Sequence, residues 1–422
     1  MAVNEAAMNE LAAQQEAIQK RIVAMTPSWK KTQNGGIKTT SIVNIQMAIE
    51  FDPLLKGCLA YNEFTWEVEV TRDVPALHLK KGQMLDMYDS MILSELEHVW
   101  DVVFSGQAFT HGVMVEAQKA SYNPVQDYLN NAYANWDKRP RIKTFMNTFL
   151  GVAITPVNEL IFTHWLVGAC TKAFDPSAKF DYVLDLVGAQ GSGKTTLLKK
   201  LSHGWYTDQF QNYADKDYYS AMLRAWIVND DEMAATAAST FEELKKFISA
   251  TQLEFRPAYG RIAVRRDKGF VMARTTNELH YLKDKTGERR FLPLLADFEQ
   301  QKKHPVSDLT DEIVEQIWGE AMHLYHSDFD TELTHEQELE LNIHRDQFTY
   351  IDAVEEQIEL VLEKWDSDFI SSTEIAKGIG VNDLLKSPKI SKKIKYIMDN
   401  RRDWKVGNRK RMGVSRRGWR RI

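Results

Sequence analysis

Residues 181–196 read DYVLDLVGAQGSGKTT, and the fold is decided there. Asp181 to Val187 is strand-like, the glycines that follow demand a tight turn, and Thr195 to Leu201 has a helical pattern. Residues 188–195 fit the spacing G-x-x-x-x-G-K-[ST]. Glycines at those places let successive backbone N–H groups wrap a phosphate. The lysine then reaches the β- and γ-oxygens, the hydroxyl faces Mg²⁺, and the helix N-terminus adds positive partial charge. Gly188, Ala189, Gln190, Gly191, Ser192, Gly193, Lys194, Thr195 and Thr196 are therefore expected to hold ATP, with Lys194 catalytic and Thr195 on the metal. Asp185 sits inside a strand that should be apolar, and the sequence offers no account of it.

Two further apolar runs follow. Ala225 to Val228 leads into Asn229, Asp230, Asp231 and Glu232, 36 residues beyond Lys194 at Asp230. A nucleotide hydrolase of this kind needs an acid at the end of a neighbouring strand for Mg²⁺ and for water. Asp230 is expected on the metal and Glu232 on the attacking water, with Asp231 able to replace either. Phe270 to Thr275 is the third strand, and Asn277 beyond it can reach the γ-phosphate or the water, or merely form a turn. Arg289 and Arg290 then stand side by side on a loop, as a surface pair or as an arginine finger serving a neighbouring subunit. Strands alternating with helices predict a parallel α/β sheet in the middle third.

The 422 residues suggest two or three domains. Hydrophobic content of 44% and charged content of 27% exclude wholesale disorder and collagen-like structure. No apolar run approaches the roughly 20 residues that span a bilayer, so no membrane partner is expected. The charged, helix-patterned N-terminus does not read as a signal peptide. Cys58 and Cys170 are too few for a disulfide framework or a thiolate zinc site, which implies a reducing, cytoplasmic setting. His335 and Glu336 lack the second histidine of a zinc-protease helix, because position 339 is Leu. Residues 1–33 read as an amphipathic helix ending near Asn34, and residues 37–115 mix short helices with strands such as the alternating Phe64–Val70. The expected domains are a mixed N-terminal region over 1–115, a helical collar over 116–170, an ATPase core over 171–345 and a basic domain over 346–422.

Charge is distributed unevenly. From Lys386 to Ile422 there are fifteen Lys or Arg against two acids, a balance of +13, so the other 385 residues carry 38 basic and 57 acidic groups, or −19. A basic tail on an acidic body suits a polyanion, since Lys and Arg neutralising phosphates supply non-specific nucleic-acid affinity. A solvated tail is the bland alternative, but Trp404, Val406, Trp419 and Ile422 speak for a folded one. Its pattern is that of a winged helix: helices over Ala353–Lys364, Thr373–Lys377 and Pro388–Asn400, then two strands turning around Gly407 and Asn408. Lys389, Lys392, Lys393 and Lys395 fall on the third helix, and Arg409, Lys410, Arg411, Arg416 and Arg417 on the wing. A second basic crowd, Arg256, Arg261, Arg265, Arg266 and Lys268, precedes the third strand.

Several further motifs recur in order: Tyr122–Leu129 with Trp136, Asp137 and Arg139; Phe255–Arg261; Thr275–Glu278; Gly287–Pro293; and Trp318–Ala321. With the glycine loop they resemble the virulence-associated protein E family, replication helicases of phages and mobile islands related to superfamily 3. The resemblance implies an AAA+/superfamily 3-type core in a homo-hexameric ring that hydrolyses ATP with Mg²⁺ and translocates on single-stranded DNA. It places the 256–268 segment as a hairpin tracking one strand in the ring channel, where its charge suits a phosphate path rather than mere solvation. Duplex DNA for the winged helix, and host or phage replication proteins, are the further partners it implies. The chain departs from the family pattern at Asn229, where Glu is usual, and about 115 residues before the collar leave no room for a primase-polymerase domain. Two other functions fit the same motifs, a double-stranded DNA translocase or packaging ATPase and an ATP-switched origin-binding or helicase-loading protein.

Overall fold

The computed structural model describes residues 27–256, 262–282, 288–327, 329–350, 353–384, 386–399, 401, 403–411 and 414–422. By packing, the chain divides into two units, one of residues 1–276 and 294–333, the other of 277–293 and 334–422. This division cuts across the expected boundary at 345.

The first unit begins with a small core of its own. Helices α1 (Ile42–Phe51), α2 (Asp86–Trp100) and α3 (Gly106–Gln118) pack with strands β1 (Leu59–Asn62), β2 (Glu67–Val70), β3 (Gly82–Gln83) and β4 (Ser121–Tyr122), whose sheet order is β3-β2-β1-β4. In β2 the alternating residues Val68 and Val70 turn inward, as the period of two requires. The helix expected over residues 1–33 is not continued in its described part. Residues 27–33 are not helical, and the buried Asn44 side chain holds the segment by accepting from Lys30 N–H and donating to the Lys30 and Lys38 carbonyls. Residues 1–26 lie outside the described set.

Three helices follow: α4 (Pro124–Ala134), α5 (Ile142–Leu150) and α6 (Pro156–Phe174). Asn123 caps α4 by accepting from Val125 and Gln126 N–H, with Pro124 at the first helical position. The Trp136, Asp137 and Trp318 motifs are architectural here. Asp137 pairs with Arg141, and Glu320 accepts from the Arg141 and Ile142 N–H groups at the start of α5. Trp318 is fully buried, donating to the Leu201 carbonyl.

The expected parallel sheet is present. Strands β5 (Val183–Val187), β6 (Tyr206–Thr207), β7 (Ile227–Asp230) and β10 (Val271–Thr276) run parallel, and with β11 (Phe291–Leu295) the order is β11-β5-β10-β7-β6. Val183, Leu184, Leu186 and Val187 are wholly buried, each worth about 1.5–3 kcal/mol of apolar transfer. Helix α7 (Lys194–Leu201) follows β5, while α8 (Ala234–Ala238), α9 (Phe241–Ser249) and the antiparallel pair β8 (Gln252–Phe255) and β9 (Val264–Asp267) separate β7 from β10. Helix α10 (Asp311–His326) completes the unit.

The second unit contains α11 (His335–Asp346), α12 (Ala353–Glu363), β12 (Phe369–Ser371), α13 (Ser372–Gly378), α14 (Pro388–Asp399), β13 (Trp404–Arg411) and β14 (Val414–Arg421). The last three strands form an antiparallel sheet of order β12-β14-β13 over a core of Ile358, Ile370, Ile375, Ile394, Trp404 and Trp419. The turn expected around Gly407 and Asn408 lies elsewhere: both are mid-strand, and the chain reverses between Arg411 and Val414. Gly407 faces Gly418, where a Cβ would meet the Ile370 carbonyl oxygen at 2.2 Å. Gly418 marks a close approach of strands, whereas Gly407 simply continues β13. Among the described residues no helix is long and apolar enough to cross a membrane.

Candidate functional site

The loop between β5 and α7 is built as its glycines require. Gly193 has φ +90°, and a Cβ there would meet the Pro305 ring at 2.8 Å. At Gly188, φ +143°, a Cβ would meet the Ala296 carbonyl oxygen at 2.6 Å. Neither place admits a side chain. Lys194 is 7% exposed, and its ammonium lies folded back into the loop, donating to the carbonyls of Gly188 at 2.7 Å and Ala189 at 2.9 Å. Burial lowers its pKa, opposed by the nearby carboxylates of Asp231 and Glu232. The loop is braced from a segment that sequence reading passed over. Gln301 donates to the Ser192 and Phe149 carbonyls. His304 receives the Val306 N–H on Nδ1, so its Nε2–H donates to the Gly191 carbonyl at 3.0 Å.

Three acids, Asp230 to Glu232, close β7 and open the turn after it, and the structure gives them different surroundings. Asp230, expected on the metal, is 2% exposed and fully engaged away from the loop. Its carboxylate accepts from Tyr213 Oη at 2.7 Å, from the Ala235 and Thr236 N–H groups at 2.8 Å each, and from Thr236 Oγ1 at 2.6 Å. It serves as the anionic cap of α8. Asp231 is the acid beside the loop. Its Oδ1 accepts from Thr195 Oγ1 at 2.7 Å, Thr275 Oγ1 at 2.8 Å and Asn229 Nδ2 at 3.3 Å, and Oδ2 takes none of these bonds. Of the two aspartates it is thus Asp231, not Asp230, that stands beside Thr195. Glu232 is exposed in a left-handed backbone conformation, φ 53° and ψ 22°, followed by Met233 at φ 51°. Buried Asn229, standing where Glu was expected, also donates to Tyr206 Oη, and its own Oδ1 has no partner among the described residues.

Behind this turn lies the partner that Asp185 lacked in the sequence. Arg274 of β10 is the register neighbour of both Asp185 on β5 and Asp230 on β7. Its guanidinium grips Asp185 at 2.7 and 2.5 Å, with both side chains essentially excluded from water. Two opposite charges, each alone in an apolar strand, were the signal that would have paired them.

The remaining expected residues fall into three groups. Asn277 follows β10 directly and opens the second unit, to which Arg289 and Arg290 also belong. There the buried Arg345 of α11 donates to the carbonyls of Arg289 and Phe291, both at 2.8 Å, and so fixes the backbone of the arginine pair. In the β8–β9 pair, Arg265 is tied to Glu254 at 2.6 Å, and Arg266 lies over the Trp66 ring at 4.7 Å. Lys268, expected to face DNA, is buried instead, donating to the Phe247 and Ile248 carbonyls at the end of α9. Burial holds its pKa down at about 7. Arg256 is exposed, and Arg261 lies outside the described residues. On the tail, Lys389, Lys392 and Lys395 are exposed on α14 and Lys393 is half-buried. Arg409 pairs with Asp368, Arg417 is exposed, and the side chains of Lys410, Arg411 and Arg416 lie outside the described set.

Chemically, the loop can hold a polyphosphate and the Thr195–Asp231 pair a hard divalent cation. One carboxylate beside a hydroxyl suits Mg²⁺, which usually keeps waters and takes one or two carboxylates plus phosphate oxygens. The fit rests on Lys194 resting on carbonyls that phosphate oxygens would replace, and on the unmatched Asn229 oxygen next to the pair. Among the described residues no group of three or more His, Cys, Asp or Glu forms a self-sufficient metal cage.

The virulence-associated protein E-like domain matches residues 129–350. No curated protein matches the chain. Among solved structures it is similar to the A-form apo structure of the NrS-1 C-terminal region, residues 305–718, at 11% identity and TM-score 0.48, covering 86% of this chain and 96% of that one. A second apo structure of that region gives 12% identity and TM-score 0.42 over the same shares. At those scores the likeness is too distant to define an activity.

Proposed function

The chain belongs to the virulence-associated protein E-like family, and on that premise we propose that it is an Mg²⁺-dependent ATP hydrolase whose turnover drives movement on DNA in the replication of a phage or mobile element. The observation that carries the reading is the 2.7 Å bond from Thr195 to Asp231, directly beside a lysine seated in a glycine loop. In this account Lys194 exchanges the Gly188 and Ala189 carbonyls for the β- and γ-phosphate oxygens of ATP. The loop N–H groups and the α7 N-terminus take up the remaining phosphate charge. Thr195 and Asp231 hold Mg²⁺, which when bound neutralises charge developing on the phosphates. Glu232 orients the attacking water.

Force on DNA is assigned to the 256–268 segment with Arg256 and Arg265, without Lys268. Duplex contact is assigned to a winged helix in the second unit, with Lys389, Lys392 and Lys395 of α14 against phosphate or groove. The AAA+ ring, with Arg289 or Arg290 acting on a neighbour's ATP, belongs to the same proposal. The test is Lys194→Ala. Hydrolysis should vanish while the folded variant still binds duplex DNA through its tail. Turnover at the wild-type rate in a folded Lys194→Ala protein would refute the assignment.

A further inference from the structure

Strand β10 ends in two threonines, and the first, Thr275, is 2% exposed. Its hydroxyl makes two bonds at once: it donates to Asp231 Oδ1 at 2.8 Å and accepts the Glu232 N–H at 2.8 Å. A hydroxyl has one proton, a carboxylate only accepts and an N–H only donates, so both directions are fixed. The turn it holds is unusual. Glu232 and Met233 are consecutive non-glycine residues in the left-handed region, a conformation that persists only where its surroundings impose it. Two restraints do so here. Asp230 is locked into α8 on one side, and Thr275 ties the Asp231 carboxylate to the Glu232 backbone on the other.

We propose that Thr275 is a positioning residue, setting from a neighbouring strand where Asp231 and Glu232 stand relative to Lys194 and Thr195. The inference rests on the reading of this site as an ATP hydrolase. Through one hydroxyl, the acid that faces Thr195 and the acid that faces water become a single rigid pair. Loss of the hydroxyl frees the Glu232 amide and lets the turn relax toward ordinary backbone. The Glu232 carboxylate is thereby displaced, while the glycine loop that binds phosphate is untouched.

Thr275→Val removes the hydroxyl at nearly constant shape, Thr275→Ala removes it without crowding anything, and Thr275→Ser restores it. In the unliganded protein, amide hydrogen exchange at Glu232 should be about ten-fold faster in the Val and Ala variants and near wild type in Ser. At saturating Mg²⁺-ATP their kcat should fall on the order of 10²-fold, with nucleotide affinity changed far less. Should the Val variant fail to fold, the Ala variant alone decides. Unchanged Glu232 exchange in a hydroxyl-less variant, or faster exchange with unchanged kcat, overturns the proposal. Wild-type hydrolysis by Asp231→Asn would instead overturn the assignment of hydrolysis to this site, and leaves the exchange result to judge Thr275 separately.

Discussion

Asp230 and Asp231 are neighbours in the chain, yet they belong to two different regions of the sheet. On one side Asp185, Arg274, Asp230 and Tyr213 form a polar row sealed from water, with the half-buried Thr236 at its edge, each group matched within the fold. On the other side Asp231 meets Thr195 and Thr275, with Glu232 exposed beyond it. Asp230 is the last residue of β7 and Asp231 opens the turn beyond it, so one step along the chain moves a carboxylate from one environment to the other. The comparison teaches that identical chemistry at adjacent positions is committed to architecture in one case and, on the proposed reading, kept available for ligand in the other. What separates them is whether the fold has already used the lone pairs.

The comparison breaks if a residue from the sealed row proves dispensable. Arg274→Met leaves Asp185 buried without its partner and should destabilise the protein by about 3–5 kcal/mol, read from denaturant unfolding. Stability within error of wild type would mean that the row is ornamental. A smaller change sharpens it. Tyr213→Phe removes one of the donors to Asp230 and should cost about 1.5–3 kcal/mol, with kcat retained in the folded fraction. Loss of turnover without loss of stability would move Asp230 back toward the metal.

The smallest effect concerns Lys268, another charge that the fold has absorbed. Its pKa is held down at about 7 by burial and the nearby Lys172, while Asp181 opposes the shift. Between about pH 7 and the ordinary lysine range near 10.5 the unfolded chain therefore binds one more proton at this site than the folded chain does. Stability from this group rises with pH across that window and is lost as pH falls toward 7. The melting-temperature advantage of wild type over Lys268→Met should accordingly grow from pH 7 to pH 9. A difference that stays constant or shrinks would contradict the assignment.

The glycine loop and the three parallel strands were legible because local spacing and apolar runs determine them. Residues 188–195 need no tertiary information to be read as a phosphate cradle. The division of labour among Asp230, Asp231 and Glu232 was not legible. It depends on which neighbours reach each side chain, and those come from Tyr213 and Thr275, distant in the chain, as well as from the nearby Thr236. Lys268 misled for a related reason: a lysine among arginines looks solvated until helix α9 is found to end against it. Gly407 and Asn408 looked like a turn because composition alone cannot distinguish a reversal from residues that continue a strand.

The central claim is that Asp231, not Asp230, works with Thr195 on the metal, and the most direct measurement compares Asp231→Asn with Asp230→Asn. Steady-state hydrolysis of Mg²⁺-ATP is measured per folded molecule, alongside the melting temperature of each variant. The account predicts that Asp231→Asn lowers kcat on the order of 10³-fold with little change in stability. Asp230→Asn should melt markedly earlier, yet keep most of its turnover where it remains folded. A stable, inactive Asp230→Asn beside an active Asp231→Asn would contradict it.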